Sequence, residues 1–126
     1  MNIISLDHIQ LAMPPGKEDE ARDFFGRVLG MREDKKPSPL AGRGGCWFCA
    51  GVVIIHLGVE KEFSPQEKAH PAFCIEDLDK LASRLTEEEY PVIWDSALPT
   101  RRRFYTADPF GNRIEFIQNG DGFTQK

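Results

Sequence analysis

The stretch HPAFCIEDLDKLASRLTEEE, residues 70–89, holds two periodicities end to end. In its first part Pro71, Phe73 and Ile75 fall on one side of an extended chain, and His70, Ala72 and Cys74 on the other. From Asp77 onward, Leu78, Leu81, Ala82 and Leu85 recur at helical spacing, with Asp77 as a suitable N-cap. A strand therefore runs into a helix. PVIWD, RRFYTA and RIEFIQ then read as strands, the turn DPFGN preceding the last, where Ile114 and Phe116 oppose Glu115.

Towards the N-terminus the same order appears once more. IISLDHIQLAM, residues 3–13, alternates: Ile9, Leu11 and Met13 share one face, while Leu6, His8, Gln10 and Ala12 share the other. Pro14, Pro15 and Gly16 end it. KEDEARDFFGRVLG, residues 17–30, predicts an amphipathic helix with Ala21, Phe24, Phe25, Val28 and Leu29 on its apolar stripe, acids in its first turn and Gly30 as C-terminal cap. EDKKPSPLAGRGG reads as a loop, CWFCAGVVIIHLGVE as two short strands broken near Ala50 and Gly51, and residues 61–68 as a polar linker. His8 and His70 lie 62 residues apart, about half of the 126-residue chain. The pattern predicts an α+β fold over 1–126, built from two copies of strand, helix, then two or three strands, with module one over about 1–62 and module two over about 66–119.

Composition narrows the function. Hydrophobic residues are 40% and charged residues 29%, an ordinary globular balance, and the net charge of −4 supplies no basic footprint for nucleic acid outside Arg101, Arg102 and Arg103. No apolar run approaches a membrane span, and the N-terminus carries no signal-peptide pattern. Three cysteines are an odd number, which fits a reducing, cytoplasmic setting. Cys46 and Cys49 form a CxxC, but it enters an extended aromatic run and has no second pair. They are read as small hydrophobic strand residues.

The unusual polar residues fall at matching places in the two copies. His8 and His70 belong to the first strands, and His56 and Glu115 to the last, 48 and 45 residues further on. Each is expected on the strand face opposite the apolar set. Neutral imidazoles with a carboxylate suit zinc, nickel, cobalt, manganese or iron(II), so His8, His56, His70 and Glu115 are the candidate ligands, His56 the softer fourth. Gln10, sharing a face with His8, is a candidate for orienting a substrate oxygen; Arg103 and Tyr105, of one strand parity, are candidates for holding an anionic or enolic substrate. Trp47 and Trp94 are expected to pack, and the 35–45 loop is either a lid or a connection.

The segments LDHIQLAM, DFFGRVLGM, VIIHLGV, AHPAFCIEDLDKLASRL and FYTADPFGNRIEF together resemble the vicinal oxygen chelate superfamily, which includes glyoxalase I, extradiol dioxygenases, fosfomycin-resistance transferases and bleomycin-resistance proteins. The resemblance implies paired βαβββ modules with curved mixed sheets around a cavity, a divalent metal chelating two neighbouring substrate oxygens, and a homodimer. It places the metal triad on His8, His70 and Glu115, and sets His56 where glyoxalase I supplies a glutamate, so that Glu115 and His56 are the candidate catalytic residues. That histidine departs from glyoxalase I, and Gln10 departs from the threonine of the fosfomycin transferases. The expectation is a small-molecule lyase, isomerase or dioxygenase. The alternative is a binding protein that sequesters its ligand, as bleomycin-resistance proteins do.

Overall fold

The computed structural model describes residues 1–120, and the chain divides into two units, Met1–Pro65 and Gln66–Lys126. The first contains strand β1 (Ile9–Met13), helix α1 (Glu18–Ala21) continued by a π-helical segment (Arg22–Val28), β2 (Arg32–Asp34), a 3-10 segment (Ser38–Arg43), β3 (Cys46–Ala50) and β4 (Val53–Val59). The second contains β5 (Ala72–Ile75), helix α2 (Leu78–Glu87), β6 (Ile93–Asp95), β7 (Arg103–Ala107) and β8 (Arg113–Gln118). Each unit forms one four-stranded mixed sheet, ordered β1-β4-β3-β2 and β5-β8-β7-β6, whose first and last strands in sequence run parallel. The fold is α+β, two βαβββ modules in tandem. No helix among the described residues is long and apolar enough to cross a membrane.

Burial follows the two periodicities. Leu11, Met13, Phe48, Ile55 and Leu57 point from the first sheet towards Ala21, Phe24, Phe25 and Val28, all buried. Phe25 stacks on Phe48 with ring centroids 5.5 Å apart, which fixes the helical segment over β3. In the second unit Leu78, Leu81, Ala82 and Leu85 bury one stripe of α2, and the Asp77 side chain caps the helix by accepting from the Lys80 N–H at 3.0 Å. Fully burying each large apolar side chain contributes about 1.5–3 kcal/mol. Cys46 and Cys49 lie buried in β3, and burial pushes the Cys46 thiol up to about 11, so it packs as a small apolar group.

The structure departs from the pattern in three places. The first helix is not regular: its second half is π-helical, and the Leu29 N–H reaches back to the Phe24 carbonyl at 2.9 Å. The wider turn puts the adjacent Phe24 and Phe25 both fully inside. Part of the stretch read as loop is ordered as β2 and the 3-10 segment. Arg-Glu-Asp shows no apolar alternation, and backbone pairing with β3 places it. Lastly, His8 and His70 precede their strands rather than lying within them. The entry to β3 depends on Gly45, whose φ is +82° and where a Cβ would lie 2.0 Å from the Leu57 carbonyl oxygen.

Candidate metal centre

Strand register puts the candidate residues into one row per sheet. In the first, Gln10 pairs with His56, His56 with Trp47, and Trp47 with Asp34. In the second, Ala72 pairs with Glu115, Glu115 with Tyr105, and Tyr105 with Ile93. Gln10 and Ala72 are 62 residues apart, the same interval as His8 and His70, so His56 and Glu115 occupy equivalent ladder positions.

Glu115 is a buried carboxylate with both oxygens engaged. Oε1 lies 3.0 Å from His70 Nε2, and Oε2 accepts from Arg103 Nη1 at 3.0 Å. Arg103 donates its other terminal nitrogen to Asp95 Oδ2 at 3.2 Å. The guanidinium expected to hold substrate is thus committed to two carboxylates, and it orients Glu115. The Tyr105 ring presents an edge-on contact to His70 at 5.4 Å and lies beneath Arg113 at 3.9 Å.

His70 Nδ1 lies 2.9 Å from the Lys68 carbonyl oxygen, which can only accept, so Nδ1 carries the proton. In the neutral ring Nε2 is then a bare lone pair facing a carboxylate oxygen. Two acceptors at that distance attract only with a cation between them, either a proton or a metal ion. The 3.0 Å separation suits a charge-assisted hydrogen bond from a protonated ring and equally, with ligand bonds of about 2.1 Å, two adjacent ligands of an octahedral ion. His8 follows the same rule, its Nδ1 lying 2.8 Å from Asp7 Oδ2 and its Nε2 left free of that bond.

His56 behaves differently. Its ring lies between His8, at 4.0 Å and 21°, and Trp47, at 3.8 Å and 3°. Lone pairs of an imidazole lie in the ring plane, so two nearly parallel rings direct them side by side rather than to one point. His8 and His56 therefore do not converge on a common ion in this arrangement, which departs from the expected four-ligand set. Burial, reinforced by the neighbouring His8, lowers the His56 pKa below its ordinary value. Among the described residues no three His, Cys, Asp or Glu side chains are gathered to hold a metal, so the candidate ligands stand as one pair in each unit.

Gln10 is exposed beside Gly58, where a Cβ would lie 2.6 Å from its Nε2. Trp94 packs edge-on against Phe104 at 5.2 Å and sits under Arg102. Sequence reading missed Lys68 and Asp95, which anchor His70 and Arg103. A backbone carbonyl carries no sequence signal, and Asp95 was one acid among 20. The Trp47 stack was readable only once the register was known.

The family model described as Glyoxalase/Bleomycin resistance protein/Dioxygenase superfamily matches residues 5–116. Among solved structures, one described as a glyoxalase family protein from Bacillus anthracis is 49% identical, with a TM-score of 0.90 over 94% of this chain and 98% of that one. The fosfomycin resistance protein from Listeria monocytogenes is 16% identical, with a TM-score of 0.75 over 94% and 95%. Lactoylglutathione lyase from Agrobacterium tumefaciens is 18% identical, with a TM-score of 0.67 over 88% and 92%. The last two share the fold. No curated protein matches.

Proposed function

The chain belongs to the Glyoxalase/Bleomycin resistance protein/Dioxygenase superfamily, and from that premise we propose that it is a divalent-metal enzyme acting on vicinal oxygens of a small molecule, by lyase, isomerase or dioxygenase chemistry. The observation that carries this reading is the His70–Glu115 pair: a lone pair and a buried carboxylate oxygen 3.0 Å apart, each anchored from behind. His70 and Glu115 hold the ion, and His8 is the third ligand that the family pattern assigns. When bound, such an ion supplies Lewis acidity towards two adjacent substrate oxygens.

This chain's own residues set the rest. Lys68 fixes the His70 tautomer, and Arg103, braced by Asp95, holds one Glu115 oxygen so that the other faces His70. Tyr105, paired with Glu115 in the ladder, is the phenol offered to a substrate oxygen. His56 orients His8 through stacking. The working form is a homodimer, as in many superfamily members, and three free cysteines suit the cytoplasm.

The test is metal analysis of tag-free protein with His8→Ala, His70→Ala and Glu115→Gln variants. About one divalent ion per chain in the wild type, lost in each variant, is expected. Wild-type protein that takes up no zinc, nickel, cobalt, manganese or iron(II) on reconstitution overturns the enzyme reading in favour of sequestration.

A further inference from the structure

Within the first unit, a cleft of about 210 Å³ opens beside the Gln10–His56–Trp47 row. Lys36, Arg43, Gln10 and Trp47 line it, along with Gly44 and Gly58. Neither glycine has room for a side chain: a Cβ on Gly44 would lie 2.9 Å from the Val59 side chain, and one on Gly58 2.6 Å from Gln10 Nε2. The cleft is smaller than the 300–1,000 Å³ typical of drug-sized ligands.

Its polar groups are matched in a particular way. Lys36 donates to the Gly44 carbonyl, which steadies the ammonium and leaves it two further donors. Arg43 brings a second cation from the 3-10 segment. Two carboxylates of this unit are already engaged: Glu18 Oε2 accepts the Gly45 N–H at 2.8 Å, which holds its pKa below the usual range, and Asp34 Oδ1 accepts from Arg32 at 3.3 Å. Lys36 and Arg43 against Glu18 leave one unbalanced positive charge, suited to a monoanion, and the Gln10 amide offers a donor to a neighbouring oxygen. Leu40 and Val59 supply apolar wall.

We propose that this cleft binds the carboxylate of a small organic acid, with Lys36 and Arg43 pairing to the anion and Gln10 donating to the adjacent oxygen. The pairing selects small acids carrying an oxygen next to the carboxylate, such as 2-oxo and 2-hydroxy acids. The 35–45 stretch is then a binding element rather than a connection.

The experiment uses full-length, metal-free, ¹⁵N-labelled protein titrated with pyruvate, pyruvamide or inorganic phosphate. The amides of Gly44 and Gly58, the Gln10 side chain and the Trp47 indole are followed. Pyruvate is expected to move these signals saturably and pyruvamide to leave them in place. Lys36→Met and Arg43→Met, each with an otherwise unchanged spectrum, are expected to weaken pyruvate about tenfold. Equal responses to pyruvate and pyruvamide, tighter binding of phosphate than of pyruvate, or wild-type affinity in both variants overturns the proposal. Because no metal is present, His70→Ala leaves this binding unchanged. Loss of metal uptake with intact pyruvate binding therefore counts against the enzyme reading alone.

Discussion

His56 lies flat against Trp47, with ring centroids 3.8 Å apart and planes 3° from parallel. A protonated imidazole quenches an indole it touches, so Trp47 reports the charge on His56. Fluorescence is expected to fall on acidification with a midpoint below 6.5, because burial and His8 lower the His56 pKa. His56→Phe removes the transition while the Trp94 signal remains.

The same shift has a sign for stability. The folded-state pKa lies below the unfolded value, so the unfolded chain takes up this proton first as the pH falls. Stability from this residue is complete above about pH 6.5 and declines as the pH drops through the unfolded value and towards the folded one. Urea unfolding at pH 7.5 and 5.5 is expected to show a smaller drop in His56→Phe than in wild type.

Arg103 neutralises a carboxylate that is only 6% exposed. Arg103→Met strands that charge and is expected to cost about 3–5 kcal/mol in denaturant unfolding. Adding Glu115→Gln removes the charge, so the double variant should recover part of the loss. Simple additivity of the two single effects would deny the coupling.

A metal ion at His70 and Glu115 needs the Nε2 lone pair and an ionised carboxylate, so it competes with protons for both ligands. Calorimetry of zinc binding in buffers of different ionisation enthalpy is expected to show proton release, with affinity falling at lower pH. Arg103→Lys keeps the charge but loses the two-carboxylate fork, and is expected to weaken binding by about 10–100-fold.

Gly45→Ala places a methyl 2.0 Å from the Leu57 carbonyl oxygen at a φ of +82°. The conformation alone costs about 1–2 kcal/mol, and the clash adds to it. A loss of at least about 2 kcal/mol in thermal or denaturant unfolding is expected.

Much of the fold was legible because its two modules repeat the same periodicities. Phe73, Leu78, Leu81 and Leu85 announce strand and helix by spacing alone, and the second module repeats what the first says. Arg32, Glu33 and Asp34 announce nothing, since an edge strand held by backbone pairing needs no apolar side chains. The π-helical turn at Phe24 and Phe25 was equally silent, because two adjacent aromatics fit a regular helix on paper. Of the candidate site, proximity was legible: strand order and parity bring His70, Glu115 and Arg103 together. Role was not, because Arg103 turned towards Glu115 and His56 towards Trp47, choices made by side-chain rotamers rather than by spacing.

The two ladder rows, Gln10–His56–Trp47–Asp34 and Ala72–Glu115–Tyr105–Ile93, make the protein its own control experiment. The two rows occupy equivalent places in like modules, yet one carries a braced carboxylate and the other an aromatic stack. Exchanging His56 and Glu115, singly or together, asks whether ladder position or the surrounding side chains decide what such a row can do.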